Sequence, residues 1–478
     1  MTSVMRTTQH VNPKVNYRWM VLLIVNLGTF MSTLDVGIVN VCLPTLAGEF
    51  AKPLAQIQWL ASSYLLTMAA LLPFLGKLSD RWKRSHIYSA GFIVFALGSL
   101  CVALSHGIAM MIISRCVQGL GAAMIMANSQ AMVRQAFPDH ERGRALGLNA
   151  VVISLGTLMG PAIGGFVLEW AGWPWLFWIN VPIGLAAFGL GLKYFPRSSA
   201  QAHRGSLDLL GSALLAAGTV LLMLASGGYG DSGDTGGAAD PAAAAGMPLA
   251  TWAAMLGGLA LLVVFWLYER RIQNGILDRA LIRLRPVWSG NLSSFFINMA
   301  LTASLIALTF YMQGPLSLTV VASGGFLMIQ PLLVGLIAPF SGWFRDKYGG
   351  ALPIIGGAAL CAVSMLFILC APQVTAMIIA VQLAVFGIGN GLFHATNNAE
   401  IMGAVPGSQA SLAGSLLAMV RYLGQIAGIG LCALLLGRMN VSVQAAADHG
   451  MGLRILFAIL LVGCASAAVL AYRVKAVR

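Results

Sequence analysis

Apolar segments of roughly twenty residues recur along almost the whole chain, and they restrict its fold more than any other feature. Each is long enough to cross about 30 Å of hydrocarbon. In that medium every backbone N–H and C=O has to be bonded within the segment, so an open run of this kind crosses as a helix. The solvent is lipid, because only 9% of residues are charged and the mean hydropathy is +0.83, where a soluble domain carries about 25% charged residues. Helices are expected at 19–46, 56–76, 86–105, 107–133, 145–168, 174–194, 207–226, 250–268, 288–312, 323–343, 351–371, 374–395, 407–436 and 451–472. The expected fold class is an all-α polytopic membrane protein of about fourteen spans, with no stretch polar enough for a separate soluble domain.

The net charge of +13 raises the question of nucleic acid, but its distribution answers it. With the N-terminus in the cytoplasm, all Lys and Arg except Lys52, Arg438, Arg454, Arg115 and Arg421 fall on the cytoplasmic side. That asymmetry is the positive-inside rule, so the basic excess reports topology and no nucleic-acid partner is expected. It also puts both termini in the cytoplasm. The seven cysteines all lie in apolar spans with no metal-ligand spacing such as CxxC, so neither a disulfide nor a metal site is expected. The first span is too long for a signal-peptide core and is expected to remain in the mature protein.

Two segments interrupt the pattern. Residues 227–249 are rich in Gly, Ala and Asp and read as an outer loop, while 269–287 reads as a charged, amphipathic cytoplasmic segment. The two helices between 201 and 287 therefore look inserted, leaving a six-helix bundle over 1–200 and another over 288–478. The sixes resemble each other. Gly76-Lys77-Leu78-Ser79-Asp80-Arg81 matches Gly342-Trp343-Phe344-Arg345-Asp346-Lys347, and Gly119-Leu120-Gly121 with Asn128-Ser129-Gln130 matches Gly387-Ile388-Gly389 with Thr396-Asn397-Asn398. Duplicated six-helix halves mark a class of secondary transporter whose substrate site lies between them near the midplane.

Within the first span, Asp35 has no basic neighbour. An acid at that depth costs roughly 2.5–3.5 kcal/mol on insertion scales, so it points to a proton or cation site. Arg115 lies in the fourth span and needs a carboxylate, carbonyls or water. It is either the working partner of Asp35 or a structural arginine, and spacing does not decide between these. Four motifs carry a family resemblance over nearly the whole chain: Gly76-x-Leu78-x-Asp80-Arg81-x-x-Arg84; Arg115-x-x-Gln118-Gly119-x-Gly121; Gly156-x-x-x-Gly160-Pro161-x-x-Gly164-Gly165; and Leu34, Asp35, Asn40, Val41, Leu43 and Pro44 in the first span. On these the chain resembles the fourteen-helix drug:proton antiporter family of the major facilitator superfamily. It departs at Lys83, where the family has glycine and a looser turn is expected. It departs again at Gly37 and Cys42, where the family has threonine and alanine.

The resemblance implies proton coupling through Asp35 and Arg115, gating by the Asp80/Arg81/Arg84 loop with its Asp346/Lys347 counterpart, and bending at the GxxxGPxxGG string, which in this superfamily marks antiporters. Pathway candidates are Asn40, Trp59, Tyr64, Gln118, Tyr311, Gln313, His394, Asn397 and Asn398. Trp59 and Tyr64 read equally as core; the His394–Glu400 run reads as a solvated cytoplasmic helix end in preference to a second protonatable site. Arg421-x-x-Gly424-x-x-x-Gly428 reads as structural. No Walker A string or catalytic constellation appears, so the expected energy source is the proton motive force, with no cofactor. The expected function is export of a small organic compound across a bacterial-type inner membrane in exchange for protons, by a monomer. An uptake symporter and a non-transporting membrane sensor are the alternatives.

Overall fold

Sixteen helices and no strand make up the described residues of the computed structural model, which are 15–195, 209–226, 249–272, 284–405, 410–436 and 446–475. Most of the expected loop at 227–249 and of the charged segment at 269–287 falls outside them. The first half comprises α1 (Val15–Glu49), α2 (Leu54–Ile57), α3 (Trp59–Arg81), α4 (Arg84–Ala103), α5 (Ile108–Ala136), α6 (Asp139–Ala171), α7 (Trp173–Trp178) and α8 (Asn180–Tyr194). An apolar pair follows, α9 (Leu209–Ser226) and α10 (Leu249–Glu269). The second half comprises α11 (Arg285–Gln313), α12 (Val320–Tyr348), α13 (Ala351–Cys370), α14 (Ala376–Gly403), α15 (Ala410–Leu436) and α16 (Ala446–Lys475).

Among the described residues twelve spans are long and apolar enough to cross a membrane, with α7 and α8 together forming one of them. The described apolar stretches of α9 and α10 are shorter, Leu210–Leu222 and Ala253–Glu269. The α7–α8 break has a local cause. Pro182 has no N–H to offer the Trp178 carbonyl four residues back, so the helix is interrupted there. Hydroxyls in the spans turn back onto their own helix: Ser62 Oγ donates to the Gln58 carbonyl at 2.9 Å and Thr67 Oγ1 to the Ser63 carbonyl at 2.8 Å. In this way these two hydroxyls keep a hydrogen-bond partner within the span.

The packing repeats between the halves. Helix α1 lies on α6, α3 on α5 and α4 on α5, and correspondingly α11 lies on α15, α12 on α14 and α13 on α14. The glycine motifs sit at matching contacts. A Cβ on Gly119 would lie 2.8 Å from the Tyr64 carbonyl oxygen of α3, and one on Gly387 2.6 Å from the Gln330 carbonyl oxygen of α12. Gly121 faces Phe95 and Gly91 of α4, as Gly389 faces Gly357 and Cys361 of α13. The short sequence echoes are therefore the positions where each half needs its backbones in contact.

Across the halves, α6 packs on α12 and α3 on α15. The α9–α10 pair lies at the second seam, with α9 touching both α3 and α15. Where α1 ends, the halves are drawn together: Gln313 Nε2 donates to the Val41 carbonyl at 3.4 Å, and the Val321 backbone N–H to Glu169 Oε2 at 3.4 Å. The opposite end, where α1 begins, holds Arg84, Arg134, Arg285 and Arg345 and is called the basic end below.

Candidate functional site

Helix α1 supplies Asp35 and α5 supplies Arg115 and Gln118, three residues apart and so on one face. Helix α5 lies against α1, α3 and α4 together, which turns that face inward onto all three. Arg115 Nη1 donates to Asp35 Oδ2 at 2.5 Å, and both residues are 1% exposed. Gln118 Nε2 donates to Asp35 Oδ1 at 2.8 Å and to Ser99 Oγ of α4 at 2.7 Å. The guanidinium also donates to Gln118 Oε1 at 2.6 Å and, through Nε, to the Leu60 carbonyl of α3 at 2.8 Å. It stacks 4.3 Å from the centroid of Tyr64, whose hydroxyl donates to the Ser32 carbonyl at 3.2 Å.

Arg115 both pairs with the Asp35 carboxylate and is braced on a backbone carbonyl. A buried pair survives in a dry interior only when its remaining donors and lone pairs are met; here Leu60 and Gln118 bond the pair, and Ser99 in turn accepts from Gln118. Burial strengthens the mutual attraction while removing both charges from water, so the pair is stable only as a unit. One proton arriving on Asp35 cancels one of the two charges and leaves the guanidinium held by neutral acceptors alone. Chemically the cluster can therefore take up a proton and convert it into motion of α1 against α5.

Helix α6 presses the GxxxGPxxGG string onto α1 and α12. A Cβ on Gly160 would come 2.7 Å from the Gly37 Cα, and one on Gly164 3.1 Å from the Ile38 Cα. Gly156 faces Thr33 and Phe30. Gly165 faces the second half, with its would-be Cβ 3.0 Å from the Val320 carbonyl oxygen, and Pro161 lends its carbonyl to the contact with Gly324. Gly37, the departure from the family's threonine, is thus the partner surface for Gly160.

The loop after α3 corrects one expectation. Only Trp82 and Lys83 separate α3 from α4, and Lys83 has φ −69°, a conformation open to any residue, so the turn is tight without glycine. The Asp80, Arg81 and Asp346 side chains lie outside the described residues. The counterpart loop uses other groups: Arg345 Nε donates to Glu400 Oε1 at 3.3 Å, and the Lys347 ammonium lies 5.1 Å from the Trp343 ring centroid. Nothing lies within 4 Å of a Cβ built on Gly342, so no close helix approach requires that glycine.

A cavity of about 380 Å³ occupies the basic half between the two bundles. Thr29, Leu72, Arg84, Ser129, Gln130, Arg134, Asn149 and Ile153 come from the first half, while Gly414, Ala418, Arg421 and Tyr422 come from α15. None of the nine pathway candidates is in its wall. Gln118 and Tyr64 are fully buried in the Asp35 cluster, Asn40 and Trp59 are buried, and Gln313 and Tyr311 sit at the far end, where the Tyr311 hydroxyl donates to the Val374 carbonyl at 3.4 Å. His394 Nε2 is 3.4 Å from Asn298 Nδ2, Asn397 Nδ2 donates to the Gly290 carbonyl at 3.1 Å, and Asn398 Oδ1 is buried without a partner. Ser99, Asn149 and Thr29 had no motif to mark them, while Ser129 stood out only as part of the internal repeat. Asn149 Nδ2 donates to Thr29 Oγ1 at 3.2 Å, which in turn lies 3.2 Å from Ser129 Oγ. The reading of Arg421 as structural is corrected in part: Gly424 and Gly428 pack on α11, but Arg421 lines the cavity.

Paired, alike six-span halves with a cavity between them are the architecture of a membrane-embedded secondary transporter. A family model described as Major Facilitator Superfamily matches residues 25–429. The chain belongs to that superfamily. It is 33% identical over 423 residues to the riboflavin transporter RibZ of Clostridioides difficile, covering 85% of each chain. It is 30% identical over 448 residues to the putative multidrug resistance protein MdtD of Pectobacterium atrosepticum, covering 90% of each. It is 29% identical over 352 residues to the tetracenomycin C resistance and export protein of Streptomyces glaucescens, covering 73% of this chain and 62% of that one. In fold it is similar to an auto-inhibited POT family peptide transporter, with a TM-score of 0.65 at 17% identity over 95% of this chain and 97% of the other. The protein is thus a multi-pass secondary transporter that works in a lipid bilayer on a small-molecule substrate.

Proposed function

We propose that the protein exports a small organic compound across a bacterial inner membrane in exchange for protons, with both termini in the cytoplasm and the chain working as a monomer of bundles 1–200 and 288–478 joined by the 201–287 linker. The observation that carries this reading is the Asp35–Arg115 pair, fully buried and braced by Gln118. The positive-inside rule makes the basic end cytoplasmic, so the conformation described is the inward-facing one: sealed at Gln313–Val41 and Glu169–Val321, with its cavity on the inner side.

In this scheme a proton from the outer side reaches Asp35 in the outward-facing state and loosens Arg115. The halves then rock about α6–α12 and α3–α15, and deprotonation on the inner side restores the pair. Export is favoured by the relatives named for drug resistance and by the GxxxGPxxGG string. The similarity to a riboflavin transporter favours a second reading, movement of a flavin-like heterocycle.

The test is flux in proteoliposomes under an imposed pH gradient, with riboflavin, norfloxacin and 1-naphthoate as probes. The expected result is uphill movement of at least one probe by the wild type and none by Asp35→Asn. A wild type that moves no probe against its gradient refutes coupled transport, and an Asp35→Asn variant that keeps coupling removes Asp35 from the mechanism.

A further inference from the structure

The two halves match in backbone but not in charge. Gly156 meets the Phe30 carbonyl of α1 as Gly424 meets the Phe295 carbonyl of α11, and Gly160 meets the Leu34 carbonyl as Gly428 meets that of Met299. This register sets Asp35 opposite Ala300 in the other half, while the Gly119/Gly387 register sets Arg115 opposite Leu383. The acid–base couple therefore belongs to the first half alone. The same register sets Ile153 of α6 opposite Arg421 of α15, and both line the cavity. The position of Arg421 is thus apolar in the first half, as the positions of Asp35 and Arg115 are in the second.

Arg421 is half-buried within the membrane span Leu416–Leu435. An arginine at that depth is rare unless it is paired or serves a ligand. Among the described residues no carboxylate pairs with it. Its guanidinium lies 5.6 Å from the ring of its neighbour Tyr422 and is close enough to His394 of α14 for the two to interact electrostatically. Among the described residues no Asp or Glu lines the cavity. Asp35 is 1% exposed and bonded to Arg115, so it presents no negative charge to the cavity. A low-dielectric wall with cationic lining raises the local concentration of anions, and a guanidinium matches a carboxylate or phosphate through paired N–H donors.

We infer that Arg421 is the anion-recognition residue of the transport cavity, and that the compound carried bears a carboxylate or comparable anionic group. The inference rests on the cavity being the transport site, as proposed above, but not on proton coupling.

Equilibrium binding tests it in phosphatidylcholine nanodiscs, with three probes of nearly one shape: 1-naphthoate, 1-naphthamide and 1-naphthylmethylammonium. The wild type is expected to bind the anion about tenfold or more tighter than the amide, with the cation weakest. Arg421→Gln levels anion and amide, and Arg421→Lys keeps part of the preference. A structural role for Arg421 lowers stability without changing the ratio between probes. Equal binding of anion and amide, preference for the cation, or no naphthoate binding by the wild type each overturns the inference. Repeating the measurement with phosphatidylglycerol distinguishes a lipid headgroup from a solute. If that lipid abolishes naphthoate binding, the site is a headgroup site and the inference about the cargo fails. Because no proton gradient is present, the binding result stands whether or not antiport is found.

Discussion

Replacing Asp35 by asparagine keeps the shape of the buried cluster and removes one of its two charges. The guanidinium of Arg115 is then left with the Leu60 carbonyl, the Gln118 oxygen and the Tyr64 ring at 4.3 Å. Breaking one side of a buried ion pair costs about 3–5 kcal/mol, and these remaining acceptors put Asp35→Asn near the lower figure. Arg115→Gln strands the carboxylate with Gln118 Nε2 as its remaining recorded donor and belongs near the upper one. The double variant has no unpaired charge, so it is expected to be more stable than the sum of the single losses. Two unit charges about 4 Å apart attract by about 4 kcal/mol at an effective dielectric constant of 20, so a coupling energy of about 2–4 kcal/mol is expected. The assay is a double-mutant cycle on reversible unfolding in mixed micelles, read by tryptophan fluorescence. Neutral hydrogen bonds between membrane helices average about 0.6 kcal/mol in such cycles. A coupling no larger than that refutes the view that the pair acts as a charged unit.

Three further outcomes are expected. Gly37→Thr, which supplies the residue usual in the family, drives a side chain into Gly160 and costs about 1–3 kcal/mol by overpacking, measurable as a lower unfolding midpoint; an unchanged midpoint shows that α1 and α6 have room to part. Gly165→Cys with Val321→Cys, where the built Cβ of residue 165 lies 3.3 Å from the Val321 Cα, forms a disulfide that stops flux until reductant is added. Flux that persists through the cross-link rules out opening at that seam. Glu400→Gln removes the half-exposed pair with Arg345 and changes stability by less than about 1 kcal/mol, an effect that shrinks further in high salt; a loss of several kcal/mol assigns Glu400 a larger part than its exposure allows.

The helices were legible because lipid imposes one rule on every span, and the apolar runs obey it. Their ends were less so. Helix α6 begins at Asp139 and α14 runs to Gly403, several residues past the apolar runs at 145 and 395, because polar residues at the basic end continue a helix that hydropathy alone ends too soon. The partnership of Asp35 and Arg115 spans eighty positions, a distance no local pattern encodes; only the cost of each buried charge hinted that they need one another. Gln118 looked like pathway lining because it is polar in a span, yet that polarity serves the carboxylate beside it. Arg421 was hidden by its own motif, since the two glycines that follow explain the helix contact and leave the arginine seeming incidental.

The α9–α10 pair makes the molecule one-sided as the bilayer meets it. Because α9 lies across α3 and α15, it screens that flank from the surrounding lipid, whereas among the described residues the α6–α12 flank carries no such cover. An oily molecule drifting in the membrane therefore finds one shuttered wall and one bare one. Any sideways entry toward the space between the halves on that flank runs past the glycines of α6.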